Sequence, residues 1–504
     1  YGLAAYQLVG GARITHRLDY VGPAANEPAV VAVPTDEPMV AVARDTLAAR
    51  ARPPMARPPP HRMDWPMVTL PPVLERLHGL VVAGNYADAL RLLNPLAETD
   101  PHKQPLLLYV AAACAYQLHD SPGDRGDSMA TALRLLEQAA TLTDYPQVHY
   151  NLGMIYRHFG RHAEAQARHQ CALAGDPTLV AAWTELGAVT AALGQPVDAV
   201  DYLRTALRLP ATDPAAGTAQ SNAALLLGAE WEGWQRSEAR LDNPLLTLMP
   251  AFPPHFERWQ GEPDVALVVA CEQGLGDAIQ MLRYVPVLQR RCPEVAFWLR
   301  PPLVDLVRTQ WPGVRLLETD APWPKDLTHW VSTMSSPALL WPPPDQPYLD
   351  GWPEPPRQHH RRIAFAWCGS RSHRNDRNRS TPLAAWAPLL RRPGVEWVAF
   401  ADGREEELYR YGVDATVTVA QPHTFEGTRQ ILAGCDAVVS VDTSLGHVAG
   451  AMGIPTALLL SADPDSRWGM TGRTTRWYPS VTLCRQSVIG DWASAITQAE
   501  EWLT

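Results

Sequence analysis

The sequence predicts an α-solenoid followed by two doubly wound α/β lobes, and three observations predict it. Small and apolar residues recur with a 34-residue period between about 70 and 240. Beyond about 262 the pattern changes to short β-branched runs that alternate with helical stretches. A proline-rich break at 342–356 divides that alternating part in two. A 34-residue period belongs to stacked helix pairs, each burying its apolar face only against its neighbours. Strands alternating with helices imply parallel sheets covered by helices on both faces.

In chain order, residues 1–69 form an N-terminal extension whose end, with Pro53, Pro54, Pro58, Pro59 and Pro60, reads as an extended linker. Residues 70–242 form the repeat region. Its clearest unit begins near Pro146, with Leu152, Gly153, Tyr156, Ala165, Ala172 and Pro177 at the offsets of a tetratricopeptide repeat. Trp183, Leu186, Gly187, Ala199, Leu203 and Ala206 repeat the register. Gly84 to Pro101 fits the second half of such a unit, 109–140 is a looser one, and 222–240 closes the stack. Residues 243–262 form a proline-punctuated junction, 263–357 the first α/β lobe and 358–504 the second. Strands are expected at 265–270, 294–299, 362–367, 395–400, 437–441 and 456–460, with helices at 277–289, 447–452 and 489–503.

The bulk numbers exclude several functions. A formal charge of -10 over 504 residues argues against a general nucleic-acid or acidic-membrane binder. The seven cysteines are scattered with no C-x-x-C pair, so neither a zinc site nor a disulfide framework is expected. No run approaches 18 apolar residues and the start lacks a basic-then-apolar segment, so a cytoplasmic location is the expectation. Neither H-E-x-x-H nor G-x-S-x-G is present, and no metal site is expected.

Three strand-to-helix turns carry the residues suited to chemistry. The first is Glu272-Gln273-Gly274-Leu-Gly276-Asp277, where glycines allow close backbone approach and a carboxylate stands at a helix start. Read alone, Asp277 is a helix cap. The second follows the strand at 362–367 and places Arg371, Arg374, Arg377 and Arg379 before Ser380 in an otherwise acidic chain. The planar arginine fork suits phosphate, although a charge run is also what a solvated loop looks like. The third is Asp442-Thr443-Ser444-Leu-Gly446-His447, at the end of a buried strand and the start of a small-residue helix. Such a turn is a natural anion site, here for a nucleotide diphosphate.

The order Glu-Gln-Gly-Leu-Gly-Asp, Trp-Cys-Gly…Asn-Asp-Arg…Arg-Ser, Ser-Val-Asp-Thr-Ser-Leu-Gly-His and Trp-Tyr-Pro resembles bacterial tetratricopeptide proteins ending in a glycosyltransferase family 9-like (heptosyltransferase-like) domain. The architecture is also similar to O-GlcNAc transferase and bacterial flagellin glycosyltransferases. The resemblance covers about 70–500 and implies a GT-B fold that moves a sugar from a nucleotide-sugar donor to an acceptor hydroxyl, with inversion and without metal or cofactor. It implies Asp277 as catalytic base, with Glu272, Gln273, Gly274 and Gly276 in the cleft loop beside it. It implies Arg377, Arg379, Ser380, Asp442, Thr443, Ser444 and His447 around the donor's phosphates. The family's usual phosphate-loop lysine is absent here, where only arginines stand, and the first lobe is short for the family.

On this reading the repeats recruit a protein or peptide acceptor, and removing 70–240 abolishes transfer but spares donor binding. A glycan- or lipid-directed transferase, and a non-catalytic scaffold keeping a nucleotide-sugar fold, are the alternatives. No nucleic acid or membrane span is expected among the partners.

Overall fold

A computed structural model describes Asp88, Arg91 and residues 127–504, apart from 243–249, 319–320, 353–360, 372, 374, 402 and 411–416. The N-terminal extension and the repeat units read before 127 lie outside the described residues.

The continuously described part of the repeat region starts with α1 (Asp127–Leu142). Three helix pairs follow: α2 (Pro146–His158) with α3 (His162–Gly175), α4 (Val180–Ala192) with α5 (Pro196–Arg208), and α6 (Pro214–Leu226) with α7 (Glu230–Ser237). Prolines 146, 196 and 214 stand at helix starts, where the missing N–H costs nothing and φ is already helical. Asp213 adds a cap, its carboxylate accepting from Ala216 N–H at 2.8 Å. Within pairs the helices touch at glycine. A Cβ on Gly153 would lie 2.5 Å from the His169 ring, and one on Gly187 would lie 2.6 Å from Leu203 Cγ. The periodic small residues are therefore packing requirements.

Each pair turns the same way. Gly160, Gly194 and Gly228, spaced by 34, have φ of 74°, 78° and 77°. The residue after each glycine closes the helix by donating to a carbonyl five residues back, as in Arg161 N–H to Tyr156 O at 2.8 Å and Gln195 N–H to Thr190 O at 3.1 Å. Left-handed φ makes glycine the natural residue at all three turns.

The first lobe contains β1 (Glu257–Arg258), β2 (Ala266–Ala270), α8 (Leu275–Met281), α9 (Val285–Arg291), β3 (Glu294–Trp298), α10 (Pro301–Gln310), β4 (Arg315–Leu317), β5 (His329–Ser332) and α11 (Ser336–Leu339). Its strands pair in the order β1-β5-β2-β3-β4, all parallel. Glu257 and Arg258, in the segment read as a junction, supply the edge strand. The helix expected at 277–289 is two helices with a 3-10 turn at Leu282–Tyr284 between them. Pro286 explains the break, since it offers no N–H to the carbonyl four residues back.

The second lobe contains β6 (Arg361–Ala366), α12 (Asp376–Arg379), α13 (Ala387–Leu390), β7 (Val395–Ala399), α14 (Glu405–Arg410), β8 (Val417–Val419), α15 (Phe425–Leu432), β9 (Ala437–Val441), α16 (Ser444–Met452), β10 (Thr456–Leu460), β11 (Val481–Arg485) and α17 (Trp492–Trp502). The strands pair in the order β11-β10-β9-β6-β7-β8, again all parallel. Alternate residues of β6 serve opposite faces. Ile363 and Phe365 pack with Trp386, Trp397 and Ile496 under α17, whereas Ala364 and Ala366 join a core that continues into the first lobe through Leu445, Val448 and Ile279. The protein is an α-solenoid joined to two doubly wound lobes in the GT-B arrangement.

Both sheets reverse direction beside their first long strand, β2 in one and β6 in the other. The crevice outside the carboxyl ends of strands at such a reversal is where open α/β sheets take ligands. In the second sheet it lies between the loops after β6 and β9; in the first, between the loops after β2 and β5.

Candidate active site

The turn after β9 builds one wall. Thr443 is the N-cap of α16, but no side chain caps the helix; the Thr443 hydroxyl lies 3.2 Å from Ser440 Oγ instead. The first N–H groups of α16 thus keep their capacity for an external anion. His447, one turn in, is buried between Trp468, stacked at 5.5 Å, and Tyr478, whose hydroxyl lies 2.9 Å from His447 Nδ1. Burial first, then the charge of Arg467, holds the imidazole well below its ordinary pKa, so it is neutral. Burial also keeps Tyr478 protonated. In the tautomer that accepts from the phenol at Nδ1, the ring hydrogen resides on Nε2.

The arginine loop does not act as a unit. Arg379 donates from Nη1 to the carbonyl of Asp442 at 3.1 Å, tying the loop after β6 to the loop after β9. Its guanidinium lies over Gly369, where a Cβ would meet Nη2 at 2.5 Å. Ser380 orders the same turn, accepting from Gly369 N–H at 3.0 Å and donating to Asp376 at 2.7 Å. Arg377 points elsewhere, with its guanidinium 5.7 Å from the Phe159 ring in the repeat region. Two residues along a helix is a rotation of about 200°, so 377 and 379 take opposite sides of α12. The sequence-based placement of Arg377 at the phosphates is therefore replaced by a repeat contact.

From the first lobe, α8 brings Asp277. Gly274 is its N-cap and donates N–H to Asp277 Oδ2 at 2.6 Å; the other carboxylate oxygen pairs with Arg467. Gly276 lets α8 reach α16, since a Cβ there would lie 2.9 Å from His447 Cδ2 and 3.6 Å from Ser444 Cα. Gln273 adopts φ of 62° and its carbonyl accepts from Arg300. Glu272 turns away from the cleft. It is 2% exposed and accepts from Arg240 Nη2 at 2.8 Å and Nε at 2.9 Å, so it belongs to the seam with the repeats.

Sequence reasoning missed Arg467. It joins Asp277 to Asp465 (Nε to Oδ1 at 2.8 Å) and Gln280 (Nη1 to Oε1 at 2.7 Å), in a loop with no recognised motif. Its partner in the first lobe lies 190 positions earlier. Together Arg379, Arg467 and the α16 terminus supply positive potential at the reversal point beside the neutral His447, facing a carboxylate from the other lobe.

Residues 399–486 match the family model described as Glycosyltransferase family 9 (heptosyltransferase). The second lobe carries a glycosyltransferase family 9 domain. The matched span holds Asp442, Thr443, Ser444, His447 and Arg467 of this glycosyltransferase, and ends just beyond β11. Among curated proteins none matches the chain. Solved structures similar to it include the E. coli heptosyltransferase WaaC with ADP, at 15% identity and TM-score 0.37, over 48% of this chain and 100% of that one. A Thermobaculum terrenum O-GlcNAc transferase mutant is similar at 16% identity and TM-score 0.32, over 80% of this chain and 97% of that one. MamA is similar at 17% identity and TM-score 0.25, over 33% of this chain and 92% of that one. Among the described residues no group of His, Cys, Asp and Glu is arranged to hold a metal ion, and no helix is long and apolar enough to cross a membrane.

Asp442 makes this wall pH-sensitive. Its pKa is pushed up to about 6, by burial first and by Asp465 second, against the pull of Arg467 and Arg379. A carboxylate raised above its unfolded value favours the neutral form in the folded protein. That contribution to stability is complete below the unfolded value and is lost as pH rises through about 6. Above that pH the ionised group also repels an anion at the α16 terminus. Asp442→Asn in the glycosyltransferase is therefore expected to raise the melting temperature at pH 8 more than at pH 5. Melting curves at the two pH values check it.

Proposed function

We propose that the cleft transfers a sugar from a nucleotide-sugar donor to a hydroxyl of a protein or peptide brought by the repeats, with inversion and without a metal ion. The observation that carries this reading is the meeting of Asp277, from one lobe, with the Arg467, His447 and α16 cluster of the other. In the transfer the bond from the anomeric carbon to the β-phosphate oxygen breaks and the diphosphate leaves with its electron pair. The acceptor oxygen attacks the opposite face, and its proton passes to Asp277. The leaving group gains negative charge, so Arg379, Arg467, the Nε2–H of His447 and the α16 N–H groups stabilise the transition state more than the ground state. These fixed donors supply the charge a metal ion would otherwise bring. Asp277 pairs with Arg467, and a diphosphate competing for that guanidinium releases the carboxylate as a base.

The test is a thermal-shift screen of the full chain against ADP, GDP and UDP and their sugars, followed by calorimetry with the diphosphate that stabilises it. His447→Ala and Arg379→Ala are each expected to weaken that diphosphate about tenfold, the size of one charge-assisted hydrogen bond. Unchanged affinity in both variants would remove the phosphate assignment.

A further inference from the structure

The repeats do more than sit beside the donor lobe, because their three turns hold three of its loops. At the first turn the carbonyl of Arg157 accepts from Asn378 Nδ2 at 3.3 Å, and Phe159 lies under Arg377. At the second turn Ala192 O accepts from Ile489 N–H at 2.8 Å, and Val488 packs against Gly194. At the third, Leu226 O accepts from Met470 N–H at 3.0 Å, and Asn222 accepts from Ser466 Oγ at 3.2 Å. Two of these three loops carry cleft residues: Arg379 stands next to Asn378, and Arg467 next to Ser466.

One residue joins both, by its side chain on one side and its backbone on the other. Arg157 donates from Nε to Asp463 Oδ2 at 2.8 Å and pairs from Nη2 with Asp463 Oδ1, while Nη1 pairs with Glu185 of the next helix pair. Asp463 is 2% exposed and also lies 3.3 Å from His162 Nε2. It lies in the loop from β10 to Arg467, four residues before the guanidinium that meets Asp277. The backbone of Arg157 meanwhile fixes the turn one residue before Arg379. A planar fork gripping a buried carboxylate at two points sets orientation as well as distance, which a single contact does not.

Taking the donor-site reading above as its basis, we infer that Arg157 is a positioning residue of the repeat region, through which the repeats set the affinity of the cleft for the nucleoside diphosphate. This differs from the expectation that removing 70–240 spares donor binding: the α/β lobes without the repeats would lose the supports of both phosphate-facing loops. The repeats are a structural part of the catalytic unit as well as a carrier for an acceptor.

The experiment is calorimetry of ADP, GDP and UDP with the full chain. Wild type is expected to bind at least one; binding none of them overturns the donor-site reading and this inference with it. With the diphosphate that binds, Arg157→Ala is expected to lose at least tenfold in affinity. Arg157→Lys, which restores charge without the two-point grip, is expected to recover part of the loss. Trp183→Ala is the control for simple loss of repeat stability. Trp183 packs on Tyr202 at 5.8 Å and donates Nε1–H to Pro177 O at 2.9 Å, both within the repeats, so this variant should melt earlier and bind the diphosphate as wild type does. If Arg157→Ala does not fold, Asp463→Asn takes its place, with the same tenfold loss expected. Affinity within twofold of wild type in the folded variant overturns the inference while leaving the donor-site reading standing. An equal loss in Trp183→Ala overturns it too.

Discussion

Asp277→Asn is expected to lower the rate of transfer by a factor of about 100 to 10,000, the range a positioned general base contributes. The amide keeps the size of the carboxylate, and its oxygen still accepts from Gly274 N–H, the bond made at 2.6 Å in the native turn. The helix start and the fold are therefore retained. Its effect on binding has the opposite sign. Arg467 loses a competing carboxylate, so a nucleoside diphosphate is expected to bind as tightly as before or tighter. Single-turnover transfer rates and calorimetry on one preparation separate the two. Wild-type rates in Asp277→Asn would remove the base assignment, and equal losses of rate and affinity would point to a collapsed cleft.

The second large effect is on stability. Glu272→Ala is expected to cost about 3–5 kcal/mol, the usual cost of removing one partner from a buried ion pair. Arg240 is 5% exposed, and beyond Glu272 it reaches Ser237 O at 2.9 Å, Glu238 Oε1 at 2.8 Å and Ser335 Oγ at 3.1 Å. Of these only Glu238 carries charge, and it is more exposed than Glu272 and shared with Arg258 at 2.6 Å, so it offsets part of the loss and places the cost at the lower end of that range. Replacing both partners by apolar residues, Arg240→Met with Glu272→Leu, should cost less than the single truncation, because no charge is left buried. Urea unfolding of the three proteins checks the order. A loss below 1 kcal/mol for Glu272→Ala would mean that water reaches this seam.

The fold was legible where the pattern is local. The 34-residue period, the strand limits at 437–441 and 456–460, and the helix after Ser444 follow from residue types a few positions apart. The short strands β4, β5, β8 and β11 were not read. Strands of three to five residues carry little periodicity of their own and are defined by the sheet that receives them. The site divides in the same way. Gly276, Asp277, Thr443 and His447 stand in strand-to-helix turns, where backbone direction can be inferred from sequence, and the structure brings these turns together. Arg377 and Arg379 look equivalent as letters, and only the rotation of a short helix separates them. Glu272 and Asp277 share one turn yet face different domains, because Arg240, which claims Glu272, arrives from the end of the repeats. Arg467 was illegible because its meaning comes from a partner 190 positions away.

The three glycine turns have one more consequence. Loops of the second lobe are seated at intervals fixed by the rise from one helix pair to the next, so the last three pairs act as a gauge. An extra pair inserted among them would move one seat away from its loop. A pair added before α1 would leave every seat where it is, because stacked pairs feel only their neighbours. Such an array can change length at its N-terminal end alone, which makes growth of the protein directional.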